Sequence, residues 1–205
     1  MKVLLINGSP HEKGCTYTAL SEVASALNSQ GIDTQIYHIG KKPVRGCIAC
    51  GACANLNGCA FDDDPANEIL ALMREADGII IGSPVYYAGP NGALCALLDR
   101  AFYASKKSLQ FKPAAAVVSA RRSGTTATFD RLNKYFTINR MPIVSSQYWN
   151  GVHGFTPEDV KKDEEGLQTM RTLGYNMAWM LKSIKNGKEP LPSIEPRKST
   201  NFINK

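Results

Sequence analysis

The sequence lacks any apolar run near the roughly 18 residues that a membrane-spanning helix needs. Its first apolar run ends too early at polar residues to be a secretory signal. Lys and Arg never occur in runs longer than two, no aromatic residues interleave with these pairs, and the chain holds only 3 His. We therefore expect a cytoplasmic protein with no membrane segment and no nucleic-acid partner.

The net charge of +6 is unevenly distributed along the 205 residues. Residues 1–100 hold 7 Lys or Arg and 10 Asp or Glu, whereas residues 101–205 hold 17 and 8. A basic half attracts anions, and a phosphorylated small molecule needs only a few of these charges. We therefore expect a small-molecule substrate rather than nucleic acid.

Five β-rich runs alternate with amphipathic helical segments. They lie at residues 2–6, 33–39, 77–83, 113–120 and 142–146. Strands that alternate with helices form a parallel sheet with both faces covered and right-handed crossovers. The sequence therefore predicts an α/β fold, a doubly wound five-stranded parallel sheet within one domain at 1–187, followed by a tail or arm at 188–205.

The helix predictions rest on capping residues and apolar spacing. Asp64 followed by Pro65 is typical of an N-cap and a first helical residue, and predicts a helix that reaches about Ala76. Apolar residues at helical spacing predict a long last helix. They are Val160, Leu167, Met170, Leu173, Met177, Leu181 and Ile184.

Three loops follow the first, third and fourth strands, where a doubly wound sheet binds its ligand. The loop NGSPHEKGCT (7–16) precedes a helix N-terminus, which favours a phosphate, and it fits neither GxxxxGK(S/T) nor GxGxxG. The loop GSPVYYAGPNG (82–92) carries adjacent tyrosines that suit a flat aromatic ligand or a subunit contact. The loop SARRSGTT (119–126) holds two arginines, which bind anions or simply face solvent.

These loops resemble the flavin-binding loops of the flavodoxin-like NAD(P)H-dependent FMN reductase family. The resemblance rests on GSPHEKGCT, SPVYYAGPNGALCALLDR and SARRSGTT, and it spans about residues 2–185. It implies a flavodoxin-like sheet of order 2-1-3-4-5 with FMN between strands one and three. By position it assigns the FMN phosphate to Ser9, Pro10, His11, Gly14, Cys15 and Thr16. It assigns the isoalloxazine ring to Pro84, Val85, Tyr86, Tyr87, Ser119, Arg122 and Gly124.

Four cysteines lie in the loop at 43–62 with the spacing C-x2-C-x2-C-x5-C. They are Cys47, Cys50, Cys53 and Cys59. The start of this spacing matches bacterial ferredoxins, although the last interval differs and no Pro follows. Zinc and free or redox-active thiols are the alternatives. The resemblance extends to the cysteine motif of the iron–sulfur flavoproteins within the family, which implies a [4Fe-4S] cluster.

The resemblance implies an FMN-dependent oxidoreductase that uses NAD(P)H as co-substrate and reduces a small molecule such as a quinone or free flavin. One alternative is an electron carrier that receives electrons from ferredoxin through FMN and a cluster. Another is a non-catalytic module whose cysteines hold zinc. The hydride step needs no general base, so no catalytic residue is assigned. The resemblance implies a homodimer or homotetramer. The cysteine loop is expected to leave the edge strand at the flavin-binding end of the sheet, where a cluster could exchange electrons with FMN within one chain or across a subunit boundary.

Overall fold

A computed structural model describes residues 1–193 and 195 of the chain. One sheet is covered by helices on both faces. Its strands are β1 (Lys2–Asn7), β2 (Asp33–His38), β3 (Gly78–Tyr86), β4 (Gly89–Pro90), β5 (Ala114–Ala120) and β6 (Gly151–His153). The helices are α1 (Cys15–Ser29), α2 (Ala66–Glu75), α3 (Gly92–Ser105), α4 (Thr125–Ile138), α5 (Pro157–Val160) and α6 (Glu164–Asn186). Within this described part, every helix is too short or too polar to cross a bilayer.

The strand order is β2-β1-β3-β5-β6, and these neighbours are all parallel. This confirms the predicted order 2-1-3-4-5. The short β4 was not predicted, and it pairs antiparallel with the end of β3 in a hairpin. Tyr87 and Ala88 form the turn with φ values of 50° and 57°. Turns of this kind usually carry Asn-Gly or Asp-Gly, so no turn motif indicated the hairpin.

The predicted position of the fifth strand, residues 142–146, is wrong. This stretch makes only an isolated bridge between Ile143 and Ala114, and regular pairing with β5 resumes in β6. Asn150 explains the interruption, because its side-chain amide donates to the carbonyl of Ala116 at 3.1 Å. A polar side chain thus satisfies a strand carbonyl that a regular edge strand would have paired.

The long last helix is also interrupted. Helix α5 ends at Val160, and Asp163 begins α6 by accepting a hydrogen bond from the Gly166 amide at 2.9 Å. Five of the seven predicted apolar positions are buried and Leu167 is half-buried, but Ile184 is 49% exposed. Most of the predicted tail at 188–205 lies outside the described residues.

Two apolar layers hold the sheet between its helices. Ile79 and Ile81 of β3 face the layer under α2, α3 and α4, whereas Ile80 faces α1 and α6. All three are fully buried, as expected for a parallel strand covered on both faces. This packing brings the carboxyl ends of β1, β3 and β5 to one edge of the sheet.

Candidate functional site

The three predicted flavin loops meet at this carboxyl edge. The Gly8 amide donates to the Gly82 carbonyl at 2.9 Å, which joins the first loop to β3. The hydroxyls of Thr16 and Ser119 are hydrogen-bonded at 2.8 Å although 103 positions separate them. Both side chains are buried. This bond therefore fixes the separation between the first and third loops.

Gly124 brings the third loop against the hairpin formed by β3 and β4. Its φ of 87° lies in the left-handed region that favours glycine. A Cβ at this position would lie 2.9 Å from Ala88 Cα and 3.0 Å from Val85 Cγ1. Since any side chain would collide with the hairpin, glycine lets the hairpin and the third loop form one continuous wall.

Asn7, at the end of β1, shapes the first loop from inside. Its buried side chain accepts a hydrogen bond from the Ser9 amide at 3.1 Å and donates one to the Glu12 carbonyl at 2.9 Å. From β2, His38 Nε2 lies 2.8 Å from the Ser9 carbonyl oxygen. Neither Asn7 nor His38 was predicted as a site residue. The available signal for Asn7 was an Asn-Gly pair after a strand, where Asn commonly bonds to nearby backbone.

The start of α1 fits an anionic group. Gly14 precedes the helix and has no side chain to cap the first-turn amides, and that turn contains no acidic residue. A Cβ on Gly14 would lie 2.9 Å from His11 Cβ, so the loop folds back tightly over the helix start. Uncapped amides and the helix dipole together favour phosphate. The residues present therefore fit the phosphate of FMN.

The predicted phosphate residues differ in exposure. Ser9 and Thr16 are buried and bonded within the protein, since the Ser9 hydroxyl accepts from the His11 amide at 3.1 Å. The His11 side chain is exposed. Cys15 turns away from the loop, with Sγ 3.7 Å from the Gly154 carbonyl oxygen, and burial raises the pKa of its thiol. Ser9 and Thr16 thus maintain the loop shape.

The predicted ring-binding residues lie on two sides of the same edge. Pro84 and Val85 are half-buried at the end of β3, whereas Tyr86 and Tyr87 are 44% and 106% exposed. Arg122, on the third loop, is exposed as well. The structure therefore brings the two loops together and leaves the tyrosines and the arginine accessible to a ligand or a second subunit.

Residues 154–160 pack beside the start of α1 and are held by a capping box. The Thr156 hydroxyl accepts from the Asp159 amide at 3.2 Å, and Asp159 Oδ2 accepts from the Thr156 amide at 2.9 Å. Hydrogen bonds from the backbone and side chain of Thr156 lower the pKa of the Asp159 carboxyl. The capping box therefore favours the ionised form of Asp159.

Replacing Thr156 by Ala is expected to lower the free energy of unfolding by about 1 kcal/mol.

Because the folded-state pKa of Asp159 is depressed, the contribution of Asp159 to stability is present above its ordinary pKa and is lost as pH falls through the folded-state pKa. Asp159→Asn should therefore be less stable than wild type at pH 7, with the difference shrinking below about pH 4. Urea unfolding at pH 7 and below about pH 4 measures the stability difference between each variant and wild type. Glu158→Gln is the control. A stability difference for Asp159→Asn that stays as large at low pH would contradict a stabilising role for ionised Asp159.

A pocket of about 110 Å³ lies at the carboxyl ends of β5 and β6, between the starts of α4 and α6. Thr125 lines it and directly follows Gly124, so the pocket adjoins the wall formed by the third loop. Its aromatic and ionisable lining consists of Phe129, Tyr148, Trp149, His153, Asp163 and Glu165. His153 Nδ1 lies 3.8 Å from Asp163 Oδ2. The pocket thus offers flat apolar surfaces with acidic groups at one side.

The four clustered cysteines line one mainly apolar pocket over α3. Ala49 and Gly51 have positive φ values of 54° and 71°, which curl the chain between the cysteines. Every cysteine in the described residues is a free thiol. Cys53 and Cys59 are half-buried and Cys47 and Cys50 are exposed.

The donor set of the cysteine loop is four sulfur atoms that line one pocket. In the part of the chain that the structure describes, no three Cys, His, Asp or Glu side chains are placed to hold one metal ion. In a four-iron cluster, each iron that binds the protein takes one cysteine sulfur. Soft sulfur donors around a shared apolar pocket are compatible with such a cluster.

The cysteine pocket does not lie beside the flavin loops of its own chain. Its wall includes Tyr103 and Ala104 near the end of α3. Arg74, near the end of α2, donates to the Asn57 carbonyl at 2.7 Å. Crossover helices run antiparallel to the strands, so these helix ends lie toward the amino edge of the sheet. The loop leaves β2 at the carboxyl edge as predicted, because His38 pairs with Asn7 there, but its cysteine pocket extends over α3 toward the amino edge.

Arg100 joins the cysteine loop to α3. Its side chain is 1% exposed and pairs with Asp64, whose side chain is 3% exposed. Burial lowers the pKa of Arg100, but hydrogen bonds to Cys59 and Asp64 together raise it by more than burial lowers it, so the net shift of the pKa is upward. Neither Arg100 nor this role of Asp64 was predicted. Asp64 also accepts from the Ala66 amide at 3.1 Å, which confirms the predicted start of α2 to within one residue.

Comparison with known proteins gives a consistent family. Residues 1–156 match the family described as NADPH-dependent FMN reductase. The chain is 36% identical over 194 residues to an iron-sulfur flavoprotein of Methanocaldococcus jannaschii, covering 90% of this chain and 100% of the relative. It is 29% identical over 193 residues to an iron-sulfur flavoprotein of Methanosarcina thermophila, covering 92% and 100%. A flavodoxin from the domain Archaea superposes with a TM-score of 0.60 at 17% identity, covering 89% of this chain and 99% of that one, which supports the flavodoxin-like fold.

Proposed function

The chain belongs to the NADPH-dependent FMN reductase family and is an oxidoreductase, and from that premise we propose that it binds FMN at the carboxyl edge of β1, β3 and β5. The observation that carries this proposal is the convergence of three loops. The Thr16–Ser119 hydrogen bond joins the first loop to the third, and Gly124 packs the third loop on the hairpin. Ligands of doubly wound sheets bind at such an edge.

The first loop is assigned to the FMN phosphate. The uncapped amides at the start of α1 would donate to phosphate oxygens, and the exposed His11 lies beside them. Ser9 and Thr16 act indirectly, because their hydroxyls already hold the loop in shape. Bound FMN supplies the two-electron chemistry, while the protein binds and orients it.

The hairpin and the third loop are assigned to the isoalloxazine ring. Pro84 and Val85 form a half-buried apolar surface that would exclude water from the ring. Tyr86 and Tyr87 extend beyond that surface, and the exposed Arg122 supplies positive charge for a reduced flavin or an anionic group. NAD(P)H is the proposed electron donor.

The pocket beside the third loop is assigned to the electron acceptor. Phe129, Tyr148 and Trp149 offer apolar ring faces, which pack well against flat aromatic molecules. We assign the acceptor to this chemical class, of which quinones and free flavins are members. Because the pocket adjoins Gly124 through Thr125, an acceptor held there would lie next to the proposed flavin wall.

The shared cysteine pocket favours a second candidate, an electron carrier that holds a [4Fe-4S] cluster and receives electrons from ferredoxin. Two similar proteins are iron-sulfur flavoproteins. The ligands would be Cys47, Cys50, Cys53 and Cys59. The pocket faces away from the flavin loops of its own chain, so exchange with flavin would require a second subunit. A homodimer or homotetramer would supply one.

Titration of the protein with FMN, followed by flavin fluorescence, tests the leading proposal. Saturable, stoichiometric binding is expected, and its absence would overturn the proposal. Anaerobic addition of NADH or NADPH should then bleach the flavin absorbance, and a quinone should restore it. Bleaching by reduced ferredoxin but by neither nicotinamide would favour the electron carrier.

Replacing Gly124 by Val is expected to weaken FMN binding by about 100-fold. The new side chain would be strained at positive φ and would push the hairpin away through Ala88 and Val85, at a combined cost of roughly 3 kcal/mol. Gly89→Ala is the matched control, since a Cβ there meets only the Tyr86 carbonyl oxygen at 3.6 Å. Fluorescence titration of both variants measures the effect. A folded Gly124→Val protein with wild-type affinity would remove the ring assignment.

A further inference from the structure

Cys59 is fixed by two side chains from outside the cysteine loop. Asn67 accepts a hydrogen bond from the Cys59 amide at 2.7 Å and donates one to its carbonyl at 3.0 Å. Arg100 Nε donates to Cys59 Sγ at 3.2 Å. The backbone and the sulfur atom of Cys59 are therefore both held, whereas Cys47 and Cys50 are exposed.

Arg100 also holds the two ends of the loop. Its Nη1 donates to the Arg45 carbonyl at 3.2 Å, and its Nη2 donates to the Phe61 carbonyl at 2.9 Å. These two carbonyls flank the four cysteines in sequence. A guanidinium presents its donors in a rigid plane, so bonds to both ends also fix the direction of Nε.

The buried carboxylate of Asp64 allows the effect of the Arg100 hydrogen bond on Cys59 to be distinguished from the effect of the Arg100 positive charge. Asp64 pairs with Arg100 Nη1, and both side chains are almost completely buried. The carboxylate compensates most of the positive charge, which leaves the N–H···S bond from Nε as the main influence on Cys59 Sγ. A hydrogen bond to a ligating sulfur stabilises the more negative, reduced state of an iron–sulfur cluster and raises its reduction potential.

We propose that Arg100 is the positioning residue for Cys59 and that its Nε hydrogen bond raises the reduction potential of the iron–sulfur cluster held by this loop. The inference rests on the second candidate function, in which the four cysteines bind a cluster. It assigns no role to Arg100 in binding FMN, because Arg100 is buried under the cysteine loop and away from the flavin loops.

Arg100→Lys tests the proposal, because lysine keeps the positive charge opposite Asp64 but has a single nitrogen, whereas Arg100 pairs with Asp64 through Nη1 and donates to Cys59 Sγ through Nε. After anaerobic reconstitution, iron and sulfide contents should match wild type. The equilibrium constant for reduction of the cluster should fall by about tenfold. This corresponds to a reduction potential that is lower by about 59 mV for a one-electron couple. Reductive titration followed by electron paramagnetic resonance measures the shift. The FMN potential in the same sample is the internal reference and should not move.

Arg74→Lys is the matched control. Arg74 donates to the Asn57 carbonyl in the same loop, and its other hydrogen bonds go to oxygen atoms of Ala104 and Ser108. It should leave the cluster potential unchanged. An unshifted potential in Arg100→Lys, or an equal shift in Arg74→Lys, would overturn the proposal.

A second variant covers the case in which Arg100→Lys does not fold. Arg100→Gln/Asp64→Asn removes both buried charges together and should also lower the cluster potential, whereas a wild-type potential would overturn the proposal. Wild-type protein that binds FMN but takes up no iron and sulfide would also overturn it. That result leaves the oxidoreductase function standing, whereas failure to bind FMN would overturn the proposed FMN site and not the role of Arg100.

Discussion

Asn7→Leu is expected to weaken FMN binding by about 30-fold to 100-fold. Leucine has the same branched side-chain shape as asparagine but cannot accept from the Ser9 amide or donate to the Glu12 carbonyl. Each lost hydrogen bond costs about 1 kcal/mol, and the buried Ser9 amide left without an acceptor adds to this. If the loop must be reordered before phosphate binds, this total of about 2 to 3 kcal/mol lowers the affinity for FMN by about 30-fold to 100-fold.

Fluorescence titration with FMN measures this loss, and titration with riboflavin shows where it arises. Because Asn7 shapes the phosphate loop, the variant should lose most of the preference for FMN over riboflavin. Asn28→Ala is the control: Asn28 accepts from the Thr34 hydroxyl at the far end of α1, and its loss should leave affinity unchanged. An equal loss for both ligands in Asn7→Leu would show that the first loop does not bind the phosphate.

The fold was predictable because its apolar residues follow the periods of strands and helices. The run Ile79–Ile81 is buried on both faces, and such a run is typical of a parallel strand. The edge of the sheet was not predictable in the same way. The apolar segment at 142–146 looks like a strand, yet Asn150 inserts its side chain into the ladder and regular pairing occurs only in β6.

The loops of the candidate site were found by their position after strands, but their internal supports were not. Asn7 and His38 act on the first loop through hydrogen bonds to backbone atoms, and composition does not encode such bonds. Arg100 illustrates the same limit, because it contacts Cys59 from 41 positions away. Spacing within the cysteine motif identifies the sulfur atoms, whereas only the packing of α3 identifies their hydrogen-bond donor.

The contact between α1 and α6 depends on a glycine for a different reason. A Cβ on Gly174 would lie 2.6 Å from Ala26 Cβ and 2.9 Å from the Val23 carbonyl oxygen. Backbone lies on one side of this contact and a short side chain on the other, so neither can move aside as a flexible side chain does. The two helices therefore pack at a separation that only glycine allows at this position.

Gly174→Val is expected to lower the free energy of unfolding by about 3 kcal/mol, because overpacking at a rigid contact forces α6 away from α1 and opens the apolar layer beneath them. For a chain of this size the melting temperature should fall by roughly 10 °C. Gly174→Ala should lose less, since its single methyl group needs a smaller displacement. Gly92→Ala, in α3, is the control, because nothing lies within 4 Å of a Cβ there. Urea unfolding followed by circular dichroism measures the stability of all three variants.

FMN affinity of folded Gly174→Val should stay near wild type, since the contact lies toward the end of α1 and the phosphate-binding amides lie at its start. A loss of affinity without a loss of stability would show that Gly174 acts on the flavin site rather than on helix packing.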